Sequence, residues 1–340
     1  MTNLRFAIFG TGFWSRFQLA AWTEISGADC VALFNRTRAK AQTLAAEFNI
    51  RAVYNDPEEL LRREQLDFID IITDVDTHSA FVALAAEYKV PVICQKPMAP
   101  TLALAEQMVM ACRAGRVPFF VHENWRWQTP IRQLKQIVAS GVIGVPFRAR
   151  IAMITGFPVF VNQPFLKELD QFILTDLGSH ILDVARLFFG EAESVACQTQ
   201  RIHRDIKGED VATVLLNMDG KMTVICEMAY AETPLEHDRF PQTTIFIEGD
   251  RGSAELSLDY WIRVTNEDGT HARRYPPPHY SWADPDYDLV HASIVPCNAN
   301  LLGALRGTGM AETSGDDNLR TVRLVHAAYR SAASGETIRL

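Results

Sequence analysis

Short runs of Val, Ile and Phe alternate with amphipathic segments through the first 123 residues of the chain. Unbroken apolar runs predict strands that are buried on both faces, as in a parallel sheet. The runs are LRFAIFG (4–10), DCVALFN (29–35), RAVY (51–54), DFIDIIT (67–73), VPVICQ (90–95) and VPFFVHE (117–123). Because helix-like segments separate them, the pattern predicts an α/β domain with a doubly wound parallel sheet over residues 1–123.

The pattern changes after Glu123, where helices become fewer and strand-like segments follow one another. Helices are predicted over 131–140, 174–190, 290–306 and 316–334, and a loop over 156–173, which contains two prolines. The predicted strands are VPFRARIAMIT (145–155), SVACQTQRIH (194–203), EDVATVLLNM (209–218), KMTVICEMAY (221–230), TTIFIEG (243–249), GSAELSL (252–258) and YWIRVTN (260–266). Met218 to Lys221 reads as a tight hairpin. Successive hairpins predict an antiparallel sheet in a second domain, residues 124–340, whose C-terminal helix is a candidate to pack back on the first domain.

The segment LTDLGSHILDVARLFFG, residues 174–190, is predicted to be one amphipathic helix. At about 3.6 residues per turn, Asp176, His180 and Asp183 fall on one face of it. This row has two interpretations. It is the hydrated side of a surface helix, with Asp183 paired to Arg186, or it faces a substrate.

Length, charge and cysteine spacing narrow the class of protein. A chain of 340 residues suggests two domains, and a net charge of −8 argues against a nucleic-acid partner, which needs a basic face. The six widely spaced cysteines form no CxxC pair, which predicts free thiols and no metal site. No signal-peptide or membrane-length apolar run is found, so we expect a cytoplasmic protein with no membrane partner.

The turn GTGFWS, residues 10–15, lies between the first predicted strand and the first predicted helix. Gly10 permits a tight turn, and Gly12 lets the backbone approach a pyrophosphate that the helix N-terminus attracts. The third fingerprint position is Ser15 instead of Gly or Ala. A Gly-rich turn that binds nothing is the alternative, but the order strand, turn, helix, strand favours a dinucleotide site.

The second strand ends in Asn35 and Arg36, where NAD enzymes place an acidic residue. No carboxylate is present at this strand end to repel a 2′-phosphate. Arg36 can pair with that phosphate, with help from Arg38, so NADP(H) is predicted in preference to NAD(H). The alternative is that Arg36 merely lies at the start of a helix.

Lys96 follows the fifth strand in VICQKPMAP. In open α/β sheets, ligands lie at the carboxyl ends of the strands. Pro97 stiffens the turn, and its X-Pro bond is a candidate for a cis peptide. A lysine that extends along apolar surface into solvent is the alternative to a functional group.

These motifs together resemble the Gfo/Idh/MocA family of oxidoreductases along essentially the whole chain. The segments that carry the resemblance are GTGFWS, TDVDTH after the fourth strand, QKP, ENWRW after the sixth strand, and TDLGSHILD. The resemblance implies a Rossmann domain followed by an α/β domain with a large, mostly antiparallel open sheet. It implies that Lys96, Asp176 and His180 are catalytic.

Site residues follow from the turn, the strand ends and this resemblance. The expected cofactor contacts are Gly10, Thr11, Gly12, Phe13, Trp14, Asn35, Arg36, Thr73, His78, Gln95, Lys96 and Asn124. The expected substrate contacts are Lys96, Arg126, Asp176 and His180.

The sequence departs from the family pattern at two places. Gln95 replaces the Glu of the usual Glu-Lys-Pro motif, which removes a negative charge beside Lys96. Residues 74–76, Asp-Val-Asp, replace the usual Pro or Asn residues after the fourth strand. The roles of these positions toward the cofactor therefore have to come from the structure.

The expected function is an NAD(P)-dependent oxidoreductase that transfers a hydride between nicotinamide and a sugar, polyol or similar polyhydroxy substrate. A histidine suits removal of the hydroxyl proton near neutral pH, and a lysine stabilises developing negative charge on the oxygen. Two alternatives remain. One is a dinucleotide-binding regulator without catalysis, and the other is an NAD-dependent enzyme that cleaves glycosides with a tightly held cofactor. A homodimer or homotetramer is expected, because the open sheet leaves a face exposed.

Overall fold

A computed structural model describes residues 2–231 and 242–340. The chain divides into two compact units. Unit 1 comprises Met1–Asn124, His279–Asp284 and Val290–Val322, and unit 2 comprises Trp125–Pro278, Pro285–Leu289 and Arg323–Leu340. The predicted second domain, 124–340, therefore differs from unit 2, because 279–284 and 290–322 are grouped with the first 124 residues.

The parallel sheet of unit 1 has six strands among the described residues, in the order β3-β2-β1-β4-β5-β6. Its strands and helices are β1 (Leu4–Phe9), α1 (Phe13–Thr23), β2 (Ala28–Phe34), α2 (Arg38–Glu47), β3 (Ala52–Tyr54), α3 (Pro57–Arg63), β4 (Phe68–Ile71), α4 (His78–Glu87), β5 (Val92–Gln95), α5 (Leu102–Gly115) and β6 (Phe119–His122). Every neighbouring pair is parallel, which confirms the doubly wound prediction. The strand order reverses between β1 and β4, where ligands bind in such sheets.

The sheet of unit 2 is mixed. Its elements are α6 (Thr129–Ala139), β7 (Pro146–Ile154), α7 (Val159–Asn162), α8 (Ser179–Phe189), β8 (Ala192–Gln200), β9 (Val211–Met218), β10 (Met222–Ala229), β11 (Thr244–Gly249), β12 (Gly252–Ser257), β13 (Trp261–Asn266), β14 (Gly269–Arg274) and β15 (Ile338–Arg339). Within the described part of the chain its order is β14-β13-β12-β11-β7-β10-β9-β8-β15. Only the pair β10 and β7 is parallel among these neighbours, so the mostly antiparallel prediction is confirmed.

Alternate residues of β9 are buried, which matches a sheet with one packed face and one exposed face. The predicted hairpin is present, with Gly220 at a φ of 75° between β9 and β10. Strand β14 was not predicted, because all of its residues are exposed and its sequence has no apolar alternation. Strand β15 escaped prediction because its two residues pair with distant β8.

Two long helices lie between β14 and β15, α9 (Asp288–Leu305) and α10 (Gly315–Ser334). In unit 1, Ile294 of α9 packs with Phe17 and Ala21 of α1. The ring of His291 stacks on that of Phe17, with 3.9 Å between their centroids. These contacts explain why residues 290–322 are grouped with the N-terminal sheet and not with unit 2.

The predicted single helix over 174–190 is wrong in its first turn. Residues Leu174–Gly178 form a π-helical turn, and only then does α8 begin. The 3.6-residue spacing therefore does not extend back to Asp176. The predicted loop over 156–173 also contains α7 and a 3-10 turn, Pro164–Glu168, which bury Val159 and Leu166.

In the part of the chain that the structure describes, no helix combines the length and apolarity needed to cross a membrane. Among those same residues, no group of three or more His, Cys, Asp and Glu side chains is arranged to hold a metal ion.

Candidate active site

The Gly-rich turn of unit 1 follows β1 at the point where the sheet order reverses. Gly10 has a φ of +98°, and a Cβ atom there would lie 2.4 Å from the carbonyl oxygen of Ile72. Only glycine fits this position. Gly12 precedes α1, provides no side-chain cap, and has open space around the position of a Cβ atom. The first amides of α1 are therefore left for an anion.

Polar atoms in the same turn have unmet hydrogen-bonding capacity. Within residues 2–231 and 242–340, Thr11 Oγ1, Trp14 Nε1 and Ser15 Oγ are buried and have no hydrogen-bond partner. Most buried polar atoms in proteins are hydrogen-bonded, so these atoms have capacity left for a ligand or water. Together with the uncapped helix and the close backbone approach at Gly10, they fit a dinucleotide. Phe13 is exposed beside them.

The end of β2 carries a charge pair that the sequence did not predict. Asn35 donates from Nδ2 to the carbonyl oxygen of Thr37, and the Arg36 side chain is 76% exposed. Asp74 Oδ2, from the loop after β4, lies 3.6 Å from Arg36 Nη2. The premise that no carboxylate is near this strand end is therefore wrong, because the sheet order places the β4 loop beside it.

His78 joins the loop after β4 to the Lys-Pro turn. Its Nε2 lies 3.1 Å from the Thr73 carbonyl oxygen, and its Nδ1 lies 3.2 Å from that of Pro97. The side chain is 1% exposed, and burial lowers its pKa, which favours the neutral imidazole. Because a neutral imidazole carries one N–H, it donates a hydrogen bond to only one of these two carbonyls and packs against the other. Thr77 Oγ1 donates to Thr73 Oγ1 in the same loop. This geometry makes His78 a brace of the loop, and direct cofactor contact by Thr73 or His78 stays a prediction.

Lys96 stands directly after β5, partly buried, with a cis peptide bond to Pro97. Gln95 Oε1 accepts from the Lys96 peptide N–H at 2.9 Å, and Gln95 Nε2 donates to Gln18 Oε1 at 2.8 Å. The amide donor of Gln95 is therefore in use, and an ionised Glu has no such donor. The departure from Glu-Lys-Pro has a structural reason within unit 1.

Asn124, the last residue of the N-terminal segment of unit 1, is buried. Its Nδ2 donates to Ser293 Oγ at 2.7 Å and is 3.3 Å from the Val290 carbonyl oxygen. The amide thus anchors α9, and its predicted contact with the cofactor stays a prediction.

In unit 2, the π-helical turn presents Asp176. Tyr230 donates from its hydroxyl to Asp176 Oδ2 at 3.3 Å, and the Tyr230 ring stacks on Phe172. Burial, with Asp176 adding to the effect, raises the pKa of Tyr230 well above its usual value. The phenol therefore remains a donor and orients the half-buried carboxylate.

His180 is 3% exposed, so the interpretation of this helix face as hydrated is wrong. Its ring stacks on Trp125 at 4.4 Å between centroids and 21° between planes. Trp125 Nε1 donates to Thr243 Oγ1 at 2.8 Å, which fixes the indole. The imidazole is therefore held flat against a rigid aromatic surface.

Arg126 and Asp183 form a buried ion pair in unit 2. Arg126 donates from Nε and Nη2 to the two carboxylate oxygens of Asp183, at 2.7 and 2.5 Å. Asp183 is 0% exposed. Arg186 is 3.8 Å from Asp183 and binds Glu191 more closely, at 2.7 Å. Asp183 is thus a structural residue, whereas substrate binding by Arg126 stays a prediction.

The start of the π-helical turn is clamped by residues that the sequence analysis missed. Glu209 Oε1 accepts from Tyr329 at 2.7 Å and from the Phe172 N–H at 3.1 Å. Tyr329 in turn accepts from the Thr175 N–H at 3.2 Å. Tyr230, Glu209 and Tyr329 lie far from Asp176 in sequence and share no motif with it, so only the fold reveals them.

Comparison with known proteins matches most of the chain. The GFO/IDH/MocA model described as an oxidoreductase family with an NAD-binding Rossmann fold covers residues 4–123. The model of the GFO/IDH/MocA C-terminal domain covers residues 131–255.

Three proteins illustrate the similarity. The chain is 41% identical to a D-apiose dehydrogenase from Paraburkholderia graminis, over 98% of this chain and 89% of that protein. It is 40% identical to a D-apiose dehydrogenase from Rhizobium rhizogenes, over 99% and 98%. The third is an oxidoreductase from Agrobacterium radiobacter, whose crystal structure is in complex with NAD⁺, L-tartaric acid and magnesium. Its structure aligns with a TM-score of 0.97 and 40% sequence identity, and the alignment covers 99% of this chain and 98% of that chain.

Proposed function

Because the chain belongs to the Gfo/Idh/MocA family of oxidoreductases, we propose that it oxidises a CH–OH group of a five-carbon aldose, with D-apiose as the first candidate. The chain is a nicotinamide-dependent dehydrogenase of polyhydroxy compounds. The observation that carries the choice of sugar is that two relatives matching nearly the full chain bear the name D-apiose dehydrogenase.

The side chains assigned to the reaction are Lys96, His180 and Asp176. When bound, the nicotinamide ring supplies the hydride acceptor. His180 accepts the proton of the substrate hydroxyl at a ring nitrogen, and Asp176, oriented by Tyr230, accepts a hydrogen bond from a sugar hydroxyl. Lys96 donates to the reacting oxygen and stabilises its developing negative charge. Arg126, held by its ion pair with Asp183, remains a proposed substrate contact.

The turn after β1 and the loop after β4 are proposed to hold the dinucleotide. The first amides of α1 and Thr11 would bind the pyrophosphate, and Arg36 would interact with the adenosine ribose. Arg36 attracts a 2′-phosphate, whereas Asp74 beside it repels one. We therefore propose that both NAD and NADP bind and that the Arg36–Asp74 pair sets the ratio, which revises the sequence-based preference for NADP.

The deciding experiment is a substrate screen that follows reduced nicotinamide by absorbance. D-Apiose is compared with other aldoses and with inositols, using NAD⁺ and NADP⁺ in turn. The highest kcat/KM is expected for D-apiose. Activity confined to another sugar would reject the proposed substrate, and tightly held cofactor with no net turnover would favour the glycoside-cleaving alternative.

Lys96→Met tests the mechanism. It removes the donor to the reacting oxygen, so kcat is expected to fall by about a thousandfold, in the range for loss of one stabilising donor. Lys89→Met is the matched control. Lys89 follows the C-terminal end of α4, and its ammonium group donates to the Gly115 carbonyl oxygen. Undiminished turnover in Lys96→Met would remove the proposed role of the lysine.

Self-association is proposed to occur through the exposed face of the mixed sheet. Leu215 and Phe246 are exposed there, beside ion pairs such as Arg150–Glu227. Light scattering after size-exclusion chromatography should report a dimer or tetramer.

We also propose a reducing, cytoplasmic setting, since the buried thiols of Cys94 and Cys226 have no disulfide partner.

A further inference from the structure

A buried carboxylate lies in the middle of the parallel sheet of unit 1. Asp70 of β4 is 0% exposed, in a strand whose other residues are apolar. Trp22 Nε1 donates to its Oδ2 at 2.8 Å. Gln18 Nε2 is 2.9 and 2.8 Å from its two oxygens. Both donors come from α1, the helix that the Gly-rich turn begins.

The hydrogen bonds continue from this carboxylate to the candidate catalytic lysine. Gln18 Oε1 accepts from Gln95 Nε2 at 2.8 Å, and Gln95 Oε1 accepts from the Lys96 peptide N–H at 2.9 Å. We call Asp70, Gln18, Gln95 and the Lys96 N–H the amide relay. It links the centre of β4 to the end of β5 through direct hydrogen bonds between protein atoms.

The charged end fixes the direction of every bond in the amide relay. An ionised carboxylate can only accept, so Gln18 must turn its NH₂ group toward Asp70. Its oxygen is then left for the NH₂ group of Gln95, whose own oxygen is left for the Lys96 N–H. Burial raises the pKa of Asp70, the hydrogen bonds from Trp22 and Gln18 oppose the rise, and the net pKa of about 6 leaves the carboxylate mostly ionised at neutral pH.

We propose that Asp70 is a positioning residue for Lys96, and that its carboxylate acts through the direction of the amide relay. The inference rests on the proposed catalytic role of Lys96. It assigns the relay one task, which is to hold the peptide that carries the lysine at the carboxyl end of β5. A displacement of about 1 Å at such a site lowers rates by about a hundredfold.

Two single substitutions break the relay at opposite ends. Asp70→Asn keeps one oxygen for Trp22 but places an NH₂ group beside the NH₂ group of Gln18, so two donors face each other unless both glutamines reverse. Reversal then turns an NH₂ group toward the Lys96 N–H. Gln95→Glu places carboxyl groups on both sides of Gln18, which has only one NH₂ group to offer. The double variant satisfies every atom with the relay reversed, because the introduced asparagine donates to Gln18, while Gln18 and the Lys96 N–H donate to the introduced glutamate.

The experiment measures kcat, KM and the melting temperature for Asp70→Asn, Gln95→Glu and the double variant. Each single variant should lose about tenfold to a hundredfold in kcat with little change in KM. The double variant should recover kcat to within about threefold of the wild type and melt above both single variants. Gln107→Glu, on the exposed face of α5, adds the same charge outside the relay and should change none of the three quantities.

The outcomes separate this inference from the proposed function. A kcat no higher in the double variant than in the poorer single variant would overturn it, as would unchanged kcat in Asp70→Asn. If Lys96→Met keeps full turnover, the proposed catalytic role of Lys96 fails although the proposed function stands, and recovery of the melting temperature in the double variant still tests the relay itself. If the proteins that carry Asp70→Asn do not fold, Gln95→Glu and Gln95→Met carry the test, since unchanged kcat in both would overturn the role of the relay.

Discussion

Two single residues from separate loops of unit 1 are proposed to set its preference for the adenosine end of a dinucleotide. Asp74 follows β4, and Arg36 follows β2, yet their charged atoms are 3.6 Å apart. A carboxylate in this place accepts hydrogen bonds from ribose hydroxyls and opposes a phosphate, whereas the guanidinium does the reverse. Both side chains are well exposed, so solvent weakens each effect and neither cofactor is excluded outright.

Asp74→Asn should move cofactor preference toward NADP. The substitution removes the repelling charge and leaves Arg36 in place, so the ratio of kcat/KM for NADP⁺ to that for NAD⁺ is expected to rise about threefold to tenfold. Arg36→Ala should move the ratio in the opposite direction. Steady-state kinetics with both cofactors at low salt measures it. If Arg36→Ala leaves NADP affinity unchanged, the argument from the 2′-phosphate is wrong.

For single residues, the sequence was sufficient to predict a site where the interacting groups are close together along the chain. Gly10 and Gly12 lie within one turn, and the strand before them and the helix after them are readable from the pattern. It was insufficient for Asp74 and Gln18, because their partners come from other strands. Asp70 did leave a signal, as a charged residue in the apolar run DFIDIIT, but nothing in the run shows what it binds.

Among the secondary-structure elements, the π-helical turn Leu174–Gly178 has the most direct bearing on chemistry. Such turns are rare and concentrate at functional sites. Here Glu209 and Tyr329 bind the amides of residues 172 and 175, which holds the start of the turn. Burial raises the pKa of Glu209, and the hydrogen bond that Tyr329 donates to it opposes this rise. The bond therefore favours the ionised form of the buried carboxylate.

Tyr329→Phe should loosen the turn. It removes the donor to Glu209 and the acceptor for the Thr175 N–H, so the free energy of unfolding is expected to fall by about 1–3 kcal/mol. Because Asp176 lies in the turn, kcat/KM for the sugar should fall severalfold while NAD⁺ affinity is unchanged. Denaturant unfolding, kinetics and a cofactor titration measure the three quantities.

Tyr54→Phe is the matched control, since it breaks a similar tyrosine–glutamate bond, to Glu64 in unit 1, away from the turn. Equal losses of kcat/KM in the two variants would contradict a specific role for the clamp.

The pattern of apolar and polar positions predicted most helices and strands, and each element that it missed has a physical reason. Strands such as β9 were predicted because burial alternates along them. The π-helical turn was read as ordinary helix because inserting one residue in a turn leaves hydrophobic composition unchanged. Exposed β14 and short β15 have too few buried positions to leave a pattern.

Over the whole molecule, stability should depend on pH through buried histidines such as His122 at the end of β6. It is 0% exposed, and its Nε2 lies 2.9 Å from Asn298 Oδ1. Burial lowers the pKa of His122 to about 4, against about 6.5 in an unfolded chain. Above pH 6.5 both states are neutral. As the pH falls toward 4 the unfolded state takes up a proton first, so stability is lost over that window.

His122→Gln should make the free energy of unfolding depend less on pH between 6.5 and 4. Glutamine can keep a donor toward Asn298 and does not titrate, so the gap in unfolding free energy between wild type and variant should shrink by about 3 kcal/mol from pH 7 to pH 4. Urea unfolding at several pH values measures it. His271→Gln, in exposed β14, is the control and should follow the wild-type curve. Parallel curves for wild type and His122→Gln would refute the assignment.

The uncapped start of α1 links the stability of the fold to the dinucleotide that we propose binds there. Gly12 lends the helix no cap, so the dinucleotide that docks there finishes the helix as a serine or aspartate would in another protein. A free dinucleotide concentration of about a hundred times the dissociation constant would add about 2.7 kcal/mol to the free energy of unfolding. The protein without bound dinucleotide should therefore unfold at a lower temperature and be cleaved faster by a protease than the protein with dinucleotide bound.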